Sequence, residues 1–184
     1  MGAPLRLAVL EADTPLPAID TRYHGYHGVF KHLFERAASP APLESVLSLS
    51  RHHVVDDVST YPSLEDVDAI LITGSKHSAY ENDEWITTLV AFARQAALHP
   101  RVRVIGVCFG HQIVSRALGG DVHRSDAGWE VSVTETQLTE AGKALFPGRD
   151  SLVFFSPFLY SPSPSSLNPD TSPLKVNSLH SPFP

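Results

Sequence analysis

Gly106-Val107-Cys108-Phe109-Gly110-His111 sets the chain's one cysteine between a strand-forming run and the start of a helical period. A tight strand-turn-helix needs small residues two before and two after its central residue, because the two chain segments nearly touch there; Gly106 and Gly110 meet that need. The turn lifts the Cys108 side chain out of the sheet and sets it at a helix N-terminus. Peptide dipoles at that end favour thiolate over thiol, which makes the sulfur a better nucleophile. The backbone N–H of Phe109 is then free to face an oxyanion, and a second donor can come from Gly74 or Ser75 in another glycine loop. The competing reading of a lone cysteine at a strand end is a small buried hydrophobe. The flanking strand, the following helix and the second glycine loop favour the reactive one.

The elements that must hold this turn follow from periodicity. Leu5–Leu10 reads as a buried strand, ended by a proline-containing loop from Glu11 to Pro17. Tyr26, Phe30, Leu33, Phe34 and Ala37 recur at helical spacing opposite Lys31 and Glu35, which predicts an amphipathic helix over 25–38. A weaker strand is expected within Val46–Val58, and a further one over Asp68–Thr73, ending at Gly74. Asn82 or Asp83 can cap the next helix, whose apolar face carries Trp85, Ile86, Leu89, Val90, Ala93, Ala96 and Ala97 before Pro100 stops it. Val102–Val107 is another strand. A short helix from Phe109 to Leu118 closes on Gly119-Gly120. A hairpin-like stretch, Trp129–Leu138, and a short helix, Glu140–Leu145, follow. Strands alternating with helices across short loops predict an α/β fold, a parallel sheet with helices on both faces. Reactive groups in such sheets lie beyond the carboxyl ends of the strands, where Gly74–Ser78 and Cys108–Gly110 fall.

The run Gly106–Gln112 resembles the nucleophile motif of the class I (triad) glutamine amidotransferases, and the likeness extends through Ile113 to Gly119-Gly120. Asp68–Ser75 is similar to that family's oxyanion strand and loop. Asn82-Asp83-Glu84-Trp85-Ile86 resembles stand-alone members, including the γ-glutamyl peptidase-like branch and relatives of the glutaminase of guanylate synthesis. The resemblance covers about residues 5–150. It implies a flavodoxin-like sheet and thioester chemistry on the γ-amide of glutamine or a γ-glutamyl compound. By position it implies Cys108 as nucleophile, Phe109 with Gly74 or Ser75 as oxyanion donors, and Gly110 and Gln112 as residues shaping the substrate pocket. It implies no cofactor.

The family also uses a late His-x-Glu pair, and none of the ten histidines here is followed two places on by a carboxylate. His180 is followed by Ser181-Pro182, in a proline-rich stretch. His111 reads as structural and His77 as an exposed loop residue. His24-x-x-His27 and His52-His53 have metal-like spacing without a convincing partner set, so no metal is assigned. His123, Asp121 and Asp126 read as a solvated loop. Three functional readings stand at this point. One is an amidotransferase-like protein short of its base; the second is a truncated, catalytically silent product; the third is a redox or aldehyde-handling relative with the same elbow.

Bulk composition bounds the rest. With 184 residues, 42% of them hydrophobic, the chain can bury a core as one domain. A net charge of -6 argues against nucleic acid as a partner, no apolar run is long enough for a membrane span, and no leader pattern is visible. A single cysteine suits a reducing, cytoplasmic setting; protein partners are not readable. Composition breaks near residue 150. Residues 151–184 hold two charged side chains, Asp170 and Lys175, and seven of the fifteen prolines. The expected organisation is an amidotransferase-like domain over 1–150, incomplete at its C-terminus, and a disordered Pro/Ser-rich tail over 151–184, as from a retained intron, a shifted frame or a truncation. Val153-Phe154-Phe155 can still add a last short strand. Deleting 157–184 is therefore expected to cost little stability, and limited proteolysis to cut there first. Protection equal to that of Leu5–Leu10 would show that the stretch is packed.

Overall fold

The computed structural model describes residues 2–124 and 132–156. The chain divides into two compact units, Met1–Asp126 and Ala127–Pro184. In the first, strands β1 (Leu5–Glu11), β2 (Leu47–His53), β3 (Ala69–Ile72) and β4 (Arg103–Gly106) form one parallel sheet in the order β2-β1-β3-β4. Register pairs Leu7 with Leu49 on one side and with Ala69 on the other, and Ala69 with Arg103. Helices α1 (Pro17–Tyr23), α2 (Tyr26–Ala38), α3 (Glu84–Leu98) and α4 (Phe109–Ala117) complete this unit. The doubly covered parallel sheet expected from the sequence is therefore present.

Strand alternation sorts the core into two layers. Ala8, Leu10, Ile70 and Ile72 face one way and pack with Ile86, Leu89, Ala93 and Ala96 of α3 and with Phe109, Ile113 and Ala117 of α4. Burying a side chain such as Ile70 or Leu89 completely contributes about 1.5–3 kcal/mol. Leu7, Val9, Ala69 and Leu71 face the other way and meet Phe30 and Phe34 of α2. This second layer thins toward β4, where Ile105 and Val107 stay exposed.

Several expectations change in detail. The loop expected over Glu11–Pro17 gives way to a helix at its last residue: Pro17 opens α1, at a helical first turn that does not need its missing N–H. Leu33, assigned to the apolar face of α2, is half exposed, and Phe30 and Phe34 carry the contact instead. Asp83 does occupy the N-cap of α3, but its side chain makes no capping hydrogen bond. Gly119 takes φ +88 just past α4, the left-handed stop expected of it. In the second unit, β5 (Ser132–Gln137) pairs antiparallel with β6 (Ser151–Ser156), and α5 (Glu140–Leu145) lies between them in sequence. The stretch 129–138 thus contributes one strand of a pair, not a hairpin of its own; residues 129–131 lie outside the described residues. Val153–Phe155 fall within β6. The remainder of the tail, 157–184, and Asp126 lie outside the described residues.

The amino ends of the strands are held by one carboxylate. Asp68 accepts the backbone N–H of Arg6 at 2.9 Å, the Arg6 guanidinium at 2.9 and 3.1 Å, and Arg101 Nη1 at 2.7 Å. Hydrogen bonds from the Arg6 side chain, then its backbone N–H, hold Asp68 far below the usual carboxylate range, and the charges of Arg6 and Arg101 add to this. A carboxyl group depressed in the folded state stabilises the fold above its unfolded value, and that stabilisation is lost as pH falls through the folded one. Denaturant midpoints should therefore drop between about pH 5 and pH 2. Asp68→Asn should be less stable at neutral pH and should show a shallower acid limb; parallel limbs in urea titrations would contradict this.

Candidate active site

The order β2-β1-β3-β4 means the chain moves out to one side of β1 and returns to build on the other. The carboxyl ends of β1 and β3 thus flank a switch point. Three segments converge there: Glu11–Asp13, Thr73–His77 and Val107–Gln112. The Val107 N–H donates to Ile72 O at 3.0 Å and the Thr73 N–H to Leu10 O at 3.1 Å, which carries the ladder into the site from both flanks.

Cys108 joins β4 to α4 with φ +53 and ψ −109, a left-handed conformation that a residue with a Cβ rarely adopts. Such backbone costs on the order of 1–3 kcal/mol and persists only where its surroundings dictate it. Two glycines dictate it here. A Cβ on Gly110 would lie 2.2 Å from Ile72 O, and one on Gly106 would lie 2.5 Å from the His111 nitrogen. Strand and helix backbones touch, and the residue between them must turn sharply. The Cys108 carbonyl accepts from the N–H groups of His111 and Gln112 at 3.1 and 3.3 Å, and His111 Nδ1 lies 2.7 Å from the same oxygen. The side chain of Cys108 makes no capping bond and is half-buried. Phe109 drives its ring into the core, stacked on Trp85 at 5.7 Å.

Gly74 faces this turn: a Cβ built on it would sit 3.6 Å from Cys108 Cβ. Among the described residues the N–H groups of Phe109, Gly74 and Ser75 have no hydrogen-bond acceptor, whereas those of Thr73, Lys76, His77 and Gly110 do. The Lys76 N–H donates to Asp13 Oδ2 at 2.8 Å and the His77 N–H to Ser75 Oγ at 3.1 Å. Cys108, Phe109 and Gly74–Ser75, singled out from the sequence, are thus brought together. Gly110 supports the turn by its lack of a side chain, and Gln112 follows it on α4, half-buried.

Sequence reasoning passed over four residues at this end of the sheet. Asp13 is buried, and its Oδ1 meets the Lys76 ammonium at 2.9 Å and the Thr14 N–H at 2.7 Å. Burial alone would raise its carboxyl, but the Lys76 N–H and side chain, then the Thr14 N–H, outweigh that and hold it below the ordinary range. Thr73 is fully buried and uses its hydroxyl both to accept from the Ala12 N–H and to donate to Gly74 O, each at 3.0 Å. Burial first, then the charge of Asp13, raises the phenol of Tyr26 at the start of α2. Arg116 of α4 reaches back to Ala79 O at 2.9 Å, Glu81 O at 2.7 Å and Asn82 Oδ1, tying down the far side of the loop. A polar residue just past a strand's carboxyl end was the available signal for Asp13 and Thr73.

Of the histidines weighed as bases, His77 packs edge-on against Trp85 at 5.1 Å and His111 is engaged with Cys108 O; His180 lies outside the described residues. His77, Glu81 and Asp83 could hold a metal ion, with one ligand atom each within 4.8 Å of the others, although both carboxylates are exposed. Neither His24-x-x-His27 nor His52-His53 joins such a group among the described residues. A cavity of about 330 Å³ lined by His27, Lys31, Leu43 and Leu49 belongs to α2 and β2, away from Cys108.

The glutamine amidotransferase class-I family model matches residues 18–152. The chain belongs to that family. It is 38% identical over 144 residues to a putative glutamine amidotransferase-like protein of Schizosaccharomyces pombe, covering 76% of this chain and 58% of that one. It is 30% identical over 139 residues to gamma-glutamyl peptidase 5 of Arabidopsis thaliana, covering 75% and 52%. Among solved structures, a glutamine amidotransferase from Thermotoga maritima matches with a TM-score of 0.58 at 16% identity, covering 82% of this chain and 59% of that one. One from Methylobacillus flagellatus matches at 0.54 and 23%, covering 86% and 55%. These establish the flavodoxin-like class I amidotransferase fold. The chain spans a little over half the length of these relatives. No helix among the described residues is long and apolar enough to cross a membrane.

Gly110→Ala should separate the turn from the sheet, since its new methyl group meets backbone. We expect a loss of about 1–3 kcal/mol or more in urea unfolding, together with a changed rate of Cys108 alkylation by iodoacetamide. Wild-type values for both would mean that the close contact is dispensable.

Proposed function

We propose that this amidotransferase-family chain captures glutamine or a γ-glutamyl compound at Cys108 as a thioester and does not turn it over efficiently. The observation that carries the reading is the strained Cys108 turn facing N–H donors without acceptors at Phe109 and Gly74–Ser75. The Cys108 thiolate attacks the γ-carbonyl carbon, forming the C–S bond while the carbonyl π pair moves onto oxygen. Phe109 and one donor of the Gly74–Ser75 pair hold that oxyanion until it collapses and expels the leaving group. Gly110 and Gln112 border the pocket. Relatives named gamma-glutamyl peptidases support γ-glutamyl compounds beside free glutamine as substrates. The single thiol supports a reducing compartment such as the cytoplasm.

Leaving groups divide the outcome. Ammonia or an amine must depart with a proton, and hydrolysis of the thioester needs a base for water. No histidine here is followed two places on by a carboxylate. Lacking such a group costs on the order of 10²–10⁴-fold. 4-Nitrophenolate leaves without a proton. Incubated with the γ-(4-nitrophenyl) ester of glutamate, the protein should release one equivalent of nitrophenolate in a burst that Cys108→Ala abolishes. With glutamine it should show no steady release of ammonia. Sustained glutaminase turnover lost in Cys108→Ser would overturn the second half of this reading. No burst from a chain whose Cys108 alkylates normally would overturn the first.

A further inference from the structure

We infer that Thr73 and Asp13 are positioning residues that set the second oxyanion donor as the N–H of Ser75; the inference rests on the acylation reading above. Two successive peptide groups of the loop after β3 are held from opposite ends. In the Gly74–Ser75 peptide the carbonyl is taken by the Thr73 hydroxyl at 3.0 Å. That hydroxyl also accepts the Ala12 N–H, so it is held on the β1 flank of β3. The peptide is trans; among the described residues the cis bond is Ser39–Pro40. In a trans peptide N–H and C=O point in opposite directions, so the Ser75 N–H turns away from β1 and toward the flank where Val107 and Cys108 stand.

The next peptide, Ser75–Lys76, is fixed from its other end. Its N–H is bound by Asp13 Oδ2, and the Lys76 ammonium closes over Oδ1 of the same carboxylate. With one peptide held by its carbonyl and the next by its N–H, rotation of the Gly74–Ser75 unit would break a bond to a buried group at either side. Both anchors are themselves buried, Thr73 at 0% and Asp13 at 6% exposure, so water is a poor substitute partner. Donors aimed in advance at a developing charge need no reorganisation at the moment of reaction.

Two reactions at the same sulfur separate this role from general support. Acylation by the γ-(4-nitrophenyl) ester of glutamate passes through an oxyanion, whereas alkylation by iodoacetamide is a displacement at saturated carbon and does not. With the full-length chain, Thr73→Val should slow the nitrophenolate burst about ten- to a hundredfold, part of the 10²–10³ that an oxyanion donor supplies. Its alkylation rate should stay at the wild-type value, and Thr73→Ser, which restores the hydroxyl, should recover the burst. Asp13→Asn keeps the size of the anchor but loses its charge on Lys76; it should lower the same ratio of rates and serves where the valine variant does not fold. A burst rate unchanged in Thr73→Val and Asp13→Asn would overturn the assignment while leaving the nucleophile intact. Acylation and alkylation falling together would also overturn it, as mere loosening of the fold. Absence of a burst in the wild type would remove the acylation reading itself, and this inference with it.

Discussion

Backbone meets backbone where α4 passes the end of β3, and the arrangement of the site follows from that contact. A helix packed at side-chain distance would leave a relaxed loop between β4 and α4. With the Gly110 position against Ile72 O and the Gly106 position against the first turn of α4, the connection shrinks to Val107 and Cys108, and Cys108 takes a positive φ. Cys108 is therefore presented by geometry before any electrostatic effect acts on it. The same closeness explains why Phe109 points inward. Its ring fills the space between α4 and Trp85 of α3, and its N–H has no acceptor among the described residues.

The two ends of the sheet use charge differently. At the amino end Asp68 gathers Arg6 and Arg101 in a partly exposed cluster, which fastens β1, β3 and β4 in register. At the carboxyl end Glu11 and Asp13 are buried, and each carboxylate takes a backbone N–H from a segment that must be aimed. Glu11 accepts the His27 N–H at 2.7 Å and Arg51 Nε at 2.6 Å, fixing the first turn of α2. Asp13 fixes the loop after β3. Buried charge is expensive unless fully partnered. Its placement here coincides with the switch point, where precision counts for more than stability.

Legibility followed the range of the interaction. The strands, α3, α4 and the Cys108 turn could be read because apolar periodicity and a glycine pair are local patterns. The class I likeness likewise rested on contiguous residues. α1 was missed because Pro15 and Pro17 speak for a loop; the signal lay in Pro17 standing where a first helical residue tolerates it. Leu33 misled because helical spacing gives a stripe, while the twist of the sheet decides which part of the stripe is covered. Thr73 and Asp13 were out of reach for a different reason. Their partners Ala12 and Lys76 lie 61 and 63 residues away, and only the parallel register of β1 with β3 brings them together. The pairing of β5 with β6 was similarly hidden, since it joins segments on either side of the compositional break.

The chemistry divides along the same line. In the reaction proposed above, activating a carbonyl needs a sulfur and two N–H groups, and the turns within Ala12–Asp13, Ile72–His77 and Gly106–Gln112 at the end of a four-stranded sheet are the segments that would supply them. Moving a proton to a departing amine needs a side chain of the right basicity held by a carboxylate, which no turn geometry provides. The histidines closest in sequence to the turn and its facing loop are already engaged, His111 with the Cys108 carbonyl and His77 against Trp85. Recruiting His111 would break the contact of its ring with the Cys108 carbonyl. Recruiting His77 would disturb the loop that holds Ser75. In the proposed reaction electrophile activation and proton transfer are therefore separable, and a base would have to approach from outside these three segments to leave the proposed oxyanion geometry undisturbed.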